Sequence, residues 1–503
     1  TEIRRMDVVP ESFTIDSNFI MGEAPGWDNV LLGCGMNSTG IACAGGVGRE
    51  LARQVVQGYP EHDFWPVSPT RFYSWQQNMN YVEDRSVEAL GVNYHLHYPN
   101  RQKETARRTI WSPLNDRYTE LGACFAQIAG WERPDWFAPQ GVEPTHVYDW
   151  QNPNWYPYQA AEHRAARENL IMYDGSSMAK IKIQGTDAES FLQMVCANNL
   201  AVSPGKTVYT GILNDRGGFE SDVTITRLAQ DDYFLITASA TGVHDLDLLR
   251  RRIPKGACVT LSDVTHGWGM LAVMGPKSRE FLQSLTDDDL SNEAFPYQTA
   301  QYIDLGYARV LAIRISYVGE LGWELYAPTN FLIPLFDLLC QAGEKFGLKH
   351  IGLQAVNSLR VEVGYRHWET DITPMETPLE AGLAFAVNWD KGDFIGREAL
   401  LAQKEEGLHN KLVMFTLQDS EARLYGAEPI FRDGEYVGET TSAAFGHSLG
   451  CAVCMGYVAH RDMPIKKDRL KLGTYTIQVA GDHKEAVLHL KNPLDPDHKR
   501  TKM

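Results

Sequence analysis

The chain has 503 residues, 44% hydrophobic and 11% aromatic, with a net charge of −17. That length exceeds one core and points to roughly two to four domains, while the aromatic content argues against disorder. The acidic balance disfavours nucleic acid and anionic membranes as primary partners, and no run of about 18 apolar residues offers a membrane span.

Residues 29–35 read as a short apolar strand, 36–48 as a glycine-rich stretch and 49–57 as a helix. A strand, loop and helix in that order present helix N–H groups to an anion or a ring carbonyl. The spacing is not G-x-G-x-x-G, so a cofactor loop and an ordinary tight turn both fit. Residues 76–150 are rich in Trp, Tyr, Arg and Pro; 131–137 reads as a packed connector and 153–157 as a linker.

From about 155 onward the pattern is α+β. Helices are expected at 158–168, 188–195 and 331–346, the last stopped by Gly347. Strands are expected at 179–183, 232–237, 269–274 and 308–316, and 389–400 reads as a turn opening a helix. After 410, short strands at 411–417, 428–431, 436–440 and 474–479 predict a small β-barrel or sandwich. The eight cysteines are scattered, and only Cys451 and Cys454 have C-x-x-C spacing. Their apolar surroundings read as two buried thiols, and free thiols throughout suit a reducing compartment.

Two segments carry the chemistry. Tyr209 to Asp222 is a hairpin whose Asn-Asp-Arg-Gly-Gly turn leads into a strand with one carboxylate at its start. Arg314 to Tyr326 has β-like flanks, two glycines, two carboxylates and three aromatics. Together they suggest the floor of a pocket for a flat, nitrogen-rich ligand, with two acidic side chains on neighbouring β-segments. On residues alone Asp222 also fits a hairpin cap, and Glu324 a surface strand residue.

From about 155 to 495 the chain resembles the aminomethyltransferase, or T-protein, of the glycine cleavage system. The resemblance rests on Asn214-x-x-Gly-Gly-x-x-x-Asp222, Ser316-Tyr-Val-Gly-Glu-Leu-Gly-Trp-Glu-Leu325, Ser358-Leu-Arg-Val-Glu362 and Asp393-Phe-Ile-Gly-Arg-Glu-Ala-Leu400. Residues 1–150 are similar to the closing part of the flavin domain of sarcosine and dimethylglycine dehydrogenases, with the connector behind it. Glu11-Ser-Phe-Thr-x-Asp16, Met21-Gly-Glu-Ala-Pro25, Gly33-Cys-Gly-x-Asn-Ser38 and Gly130-Trp-Glu-Arg-Pro-x-Trp-Phe137 carry that part. Asp289 to Pro296, Gly364 to Trp368, Pro378 to Phe385 and Asp495 to Arg500 are similar to the sarcosine branch.

The resemblance implies four parts: the end of an FAD-dependent domain (1–75), a connector (76–150), a folate-binding domain (151–405) and a C-terminal barrel (406–503). The family's opening dinucleotide fold, with the histidine that bonds its flavin, is not in this sequence, so the chain is expected to be part of a longer protein. The implied reaction is oxidative N-demethylation of sarcosine or dimethylglycine, the one-carbon unit passing to tetrahydrofolate as 5,10-methylenetetrahydrofolate. An acceptor such as electron-transfer flavoprotein would take the electrons. The implied location is the mitochondrial matrix in a eukaryote and the cytoplasm in a bacterium.

By the same resemblance Asp222 is catalytic, and Tyr209, Tyr317, Glu324, Arg360 and Trp368 hold the folate. Gly35, Met36, Asn37, Ser38 and Gly40 would lie against the FAD ring, while Gly45, Gly46 and Gly48 serve close helix packing. No metal site is expected. Two other readings remain on the same fold: a non-catalytic regulator of the pyruvate dehydrogenase phosphatase type, and a stand-alone aminomethyltransferase.

Overall fold

A computed structural model describes residues 5–7, 10–460 and 463–503. The chain divides into two compact units, Thr1–Thr109 with Val243–Leu248, and Ile110–Gly242 with Leu249–Met503.

The first unit contains an antiparallel ribbon of β1 (Ile20–Glu23) and β2 (Leu31–Cys34), then α1 (Gly40–Gln57) and α2 (Met79–Val92). Asn78 caps α2, its side chain accepting from the Asn80 and Tyr81 amides. The helix expected from residue 49 begins nine residues earlier, at Gly40. Gly45, Gly46 and Gly48 therefore lie inside α1, each at about 1 kcal/mol against alanine. A Cβ on any of them would meet nothing within 4 Å. This corrects the expectation of close packing: only Glu50 is buried along α1.

The second unit opens with α3 (Asn115–Glu120) and the hairpin β3 (Ala123–Ile128) and β4 (Trp131–Phe137). Then come α4 (Tyr156–Glu168), β5 (Ile171–Asp174), β6 (Ala179–Gln184), α5 (Ala188–Val195), β7 (Thr207–Leu213), β8 (Phe219–Ala229) and β9 (Asp232–Thr237). The chain continues through α6 (Gly242–Arg251), β10 (Thr260–Asp263), β11 (Trp268–Met274), α7 (Ser278–Gln283), β12 (Ala300–Leu305), β13 (Ala308–Ile313) and β14 (Gly322–Pro328). After these stand α8 (Leu332–Gly343), β15 (Lys349–His350), α9 (Leu353–Glu362) and α10 (Arg397–Glu406). Gly347, at φ 69°, ends the short 3-10 extension of α8, as its sequence position predicts.

Two sheets carry this part. One has the order β10-β6-β9-β8-β7 and the other β12-β13-β14-β11-β5-β15. Side-chain alternation sorts the second sheet into two faces. Met172, Leu271, Val273, Trp323 and Leu325 pack outward on Phe281 of α7 and on Leu335 and Phe336 of α8. Tyr173, Ala272, Met274, Ile313 and Tyr326 pack inward with Phe234 and Ile236 of β9, together with Ala355 and Leu359 of α9. Each large apolar side chain buried this way contributes about 1.5–3 kcal/mol. The inner layer thus lies between the two sheets.

The C-terminal strands β16 (Asn410–Leu417), β17 (Pro429–Arg432), β18 (Glu435–Gly446), β19 (Cys451–Ala459), β20 (Tyr475–Val479) and β21 (Asp482–His489) close a barrel in the order β16-β19-β18-β17-β20-β21, with the short α11 (Lys467–Leu470) before β20. The expected α+β fold ending in a small barrel is thus what the chain adopts. Cys454 is buried as expected, but Cys451 is half-buried, and all eight cysteines are free. Among the described residues no helix is long and apolar enough to cross a membrane.

Candidate functional site

The β7–β8 hairpin is built as its sequence predicts. Asn214 closes the turn: its side-chain oxygen accepts from the Arg216 and Gly218 amides, and its own amide donates to Gly218 O at 2.9 Å. Gly217 takes φ 84°, and a Cβ on Gly218 would lie 2.0 Å from Pro374 O. Asn214, not Asp222, therefore caps the hairpin. Asp222 stands inside β8, opposite Gly211.

Register fixes the face on which Asp222 lies. Thr224 pairs with Ile236 and Thr226 with Phe234, so Asp222, two before Thr224, shares the face of Ile236 and Phe234. Phe234 meets Tyr326 of the other sheet edge-on at 5.5 Å. On that other sheet Tyr173, Ala272, Glu324 and Ile313 form one row across β5, β11, β14 and β13. Asp222 and Glu324 thus belong to facing sheets and to the same inner layer. Strand order corrects the expectation of neighbouring β-segments: β8 and β14 belong to different sheets.

Glu324 is 5% exposed, which excludes a surface strand residue. Tyr326 donates its hydroxyl to Glu324 Oε2 at 2.6 Å. Burial raises the Glu324 carboxyl to about 7, against the Tyr326 bond and the charge of Lys180. Lys180 is fully buried, and burial lowers it to about 7 against Asp174, Asp263 and Glu324. Its Nζ donates to Ser176 O and Met178 O, each at 2.8 Å.

Beside Asp222 stands the phenol of Tyr209. Tyr209 donates to Asp222 Oδ2 at 2.9 Å. Burial, then the Asp222 charge, lifts the Tyr209 phenol well above its ordinary range, so it stays a donor at any working pH. Tyr317 donates to Arg366 O at 3.1 Å. Burial pushes its phenol up to about 12, with Arg360 pulling down and Asp222 pushing up. Tyr173 is raised by burial, then by Glu324 and Tyr317.

The remaining expected folate residues have structural partners. Trp368 is 5% exposed, and its Nε1 donates to Phe219 O at 3.3 Å, bracing the start of β8. Arg360 pairs with Asp371 at 2.7 Å and donates to Asn357 Oδ1 and Tyr365 O. Sequence reasoning did not find Tyr173, Lys180 or Tyr326. The alternation of Glu324 with Tyr326 along β14 is the one signal that marks any of them.

The residues expected at the flavin ring form the loop between β2 and α1. Asn37 and Ser38 hold left-handed backbone, φ 46° and 64°, beside Gly35 at 64°. Asn37 is buried and internally bonded: its Oδ1 accepts from the Thr14 amide and its Nδ2 donates to Gly35 O. Ser38 donates to Glu11. Thr39 donates its hydroxyl to Met36 O at 2.6 Å, and Gly40 opens the helix. An 18-residue helix with a glycine-rich first half offers main-chain N–H groups to a flat ring edge. This loop presents main-chain N–H groups, and the inner layer holds the carboxylates of Asp222 and Glu324.

Parts of the chain match known domain families. A GCVT N-terminal domain model matches residues 114–391, and a glycine cleavage T-protein C-terminal barrel model matches 410–495. An FAD dependent oxidoreductase central domain model matches 57–112. 4-Methylaminobutanoate oxidase (formaldehyde-forming) of Paenarthrobacter nicotinovorans is 40% identical over 445 residues, covering 88% of this chain and 54% of that protein. Mitochondrial sarcosine dehydrogenase of Homo sapiens is 36% identical over 539 residues, covering 98% and 58%. The chain thus spans somewhat over half the length of these curated relatives. The crystal structure of aminomethyltransferase T of the Bartonella henselae glycine cleavage system superposes with a TM-score of 0.64 at 24% identity, covering 76% of this chain and 97% of that one. That likeness is one of fold.

Proposed function

The chain belongs to the glycine cleavage T-protein family, and from that premise we propose that it supplies the folate half of a flavin-dependent N-demethylase. The substrate class is a small N-methylamine such as sarcosine or dimethylglycine, and the one-carbon product is 5,10-methylenetetrahydrofolate. When bound, a flavin would supply the acceptor for hydride leaving the N-methyl carbon, and Gly35, Met36, Asn37, Ser38 and Gly40 would hold it. An acceptor such as electron-transfer flavoprotein would clear the electrons. The FAD-domain tail, connector, folate domain and barrel remain the proposed modular division.

The chain's own residues do the following. Glu324, ionised, accepts two N–H bonds from the aminopyrimidinone of a reduced pterin, a bidentate match of charge and geometry. Tyr209 and Tyr317 line the layer beside it with flat faces. Asp222, oriented by the Tyr209 hydroxyl, takes the proton released as a folate nitrogen bonds to the incoming carbon. Its charge also stabilises the positive charge that develops there.

The observation that carries this reading is that Asp222 is not needed for the turn. Asn214 closes the hairpin, while Asp222 sits on the inner face under a phenol's control. Titration of the full chain with tetrahydrofolate, followed by tryptophan fluorescence, and a formaldehyde-capture assay test it. Asp222→Asn is expected to slow capture by about 10²–10⁴-fold with affinity within a few-fold. Glu324→Gln is expected to weaken binding by about 10–100-fold. Unchanged capture and binding in both variants would remove the reading in favour of a regulatory protein.

A further inference from the structure

Away from the inner layer, the β3–β4 hairpin carries a second set of reactive side chains. Cys124 of β3 pairs with Trp136, and the next residue, Phe125, pairs with Pro134. Asp135 is therefore an extra residue on β4, a β-bulge. Pro134, with no amide to donate, is tolerated at such a break in the ladder. In a regular ladder Asp135 would face away from Cys124, and the bulge re-aims it. Its Oδ2 accepts from His146 Nε2 at 2.8 Å and from Gln354 Nε2 at 3.1 Å. Cys124 Sγ lies 3.4 Å from His146 Nδ1 and 3.7 Å from Nε2, so the nearer nitrogen is the one Asp135 leaves open.

Thiol, imidazole and carboxylate thus stand in series. A carboxylate on Nε2–H makes Nδ1 the acceptor of the neutral ring, and it stabilises the imidazolium once the thiol proton has moved there. Two aromatic rings fix the imidazole: Tyr148 stacks on it at 5.7 Å and 11°, and Trp155 meets it edge-on at 5.4 Å. His146 comes from the irregular stretch between β4 and α4, which Asn154 pins by accepting from the Val147 amide and donating to Thr145 O. Thr145 and Val147 are exposed, while Cys124 beneath is 3% exposed. Arg133 and Glu162 also act on this charge set. Burial lowers Arg133 to about 10, so it stays charged, and raises Glu162 to about 8, so it is mostly protonated at neutral pH. Cys340 is the contrast. Its Sγ lies 3.6 Å from His350 Nε2, but His350 Nδ1 has no hydrogen-bond partner among the described residues, and burial pushes the Cys340 thiol up to about 12.

We propose that Cys124 is an oxidation site for a small uncharged peroxide, its thiolate held beside the His146 imidazolium that Asp135 orients. Sulfur attacks one oxygen of hydrogen peroxide, the S–O bond forming as the O–O bond breaks. The leaving hydroxide takes the Nδ1 proton, and the products are Cys124 sulfenic acid, water and neutral His146. Sulfur is oxidised and the peroxide reduced. Cover by the His146 stretch selects a reagent this small. The site is separate from Asp222 and Glu324 and does not depend on what the inner layer binds.

The full chain is treated with hydrogen peroxide and dimedone, which traps sulfenic acids, and the label on each cysteine is followed by peptide mass spectrometry. At neutral pH Cys124 is expected to label at least about tenfold faster than Cys340. Its rate should stay within a few-fold from about pH 6 to about pH 8, where an ordinary thiol of pKa about 8.5 gains close to tenfold per unit. Asp135→Asn keeps the shape without the charge and should slow labelling about tenfold. His146→Ala separates activation from access. It opens the cover, so a thiol limited by burial alone would label faster, whereas loss of the imidazole should make it about tenfold slower. Cys124 labelling no faster than Cys340, a rate that rises with pH as an ordinary thiol's does, an unchanged Asp135→Asn, or a faster His146→Ala each overturns the proposal. The first two are read on wild type, so the outcome stands even where a variant fails to fold.

Discussion

Glu324 holds its carboxyl at about 7 because burial raises it and neither Tyr326 nor Lys180 fully offsets that. Only the ionised form accepts two N–H bonds, so reduced-pterin affinity should rise about tenfold per pH unit up to about 7 and then level off. Isothermal titration between pH 5.5 and 8.5 measures this, and Glu324→Gln should give a flat profile. Tyr326→Phe removes the bond that favours the ionised form and should move the inflection to higher pH. The sign for folding is the opposite. The folded pKa lies above the unfolded 4.5, so the native chain binds more protons between the two values and loses stability as pH rises through about 7. Glu324→Gln should therefore melt above wild type at pH 8, by an amount on the order of 3 kcal/mol, with the gap closing toward pH 5.

At the scale of elements, two glycines should behave in opposite ways. Gly218→Ala drives a Cβ to 2.0 Å from Pro374 O, a backbone atom, and should lower the unfolding free energy measured in urea by more than about 2 kcal/mol while displacing Asp222. Gly45→Ala meets nothing within 4 Å and should stabilise α1 by about 0.5–1 kcal/mol. The first case was legible in the sequence, because Asn-Asp-Arg-Gly-Gly is a turn whose chemistry is local. The second was not, because close packing and open solvent look alike in a run of glycines. The same limit explains the site. Tyr209, Asp222 and Glu324 sit in motifs, and period-two alternation along each strand could be read. The placing of β8 and β14 on one inner layer depends on strand order in two sheets, which no local pattern encodes. Lys180 was missed for that reason: only the fold buries it near Glu324. Arg360 could be named but not its partner, since Asp371 lies on a loop beyond the helix.

The barrel is fastened to the central helices by two buried acids. Glu362 accepts from His163 Nε2, Arg167 Nη2 and Ser448 Oγ at 3.0, 3.0 and 2.8 Å. Asp371 accepts from Arg360, the Ser442 amide and hydroxyl, and Thr441. Burial works to raise Glu362, but the His163 bond and the His163 and Arg167 charges outweigh it and hold the carboxyl at about 2. Its contribution is present above the unfolded 4.5 and is lost as pH falls to about 2. Glu362→Gln removes one of the two carboxylates paired with buried Arg167, Glu320 being the other, and should cost about 1.5–3 kcal/mol, with the calorimetric transition splitting as the barrel melts first.

The glycine-rich helix of the first unit has a practical consequence. Ile41 is 100% exposed, Val55 69% and Val56 83%. A purified sample should self-associate reversibly despite mutual charge repulsion, its light scattering climbing with concentration and with sulfate, while Ile41→Lys with Val56→Glu should keep it monodisperse. Colloidal behaviour at the bench would then report on a surface shaped to be covered.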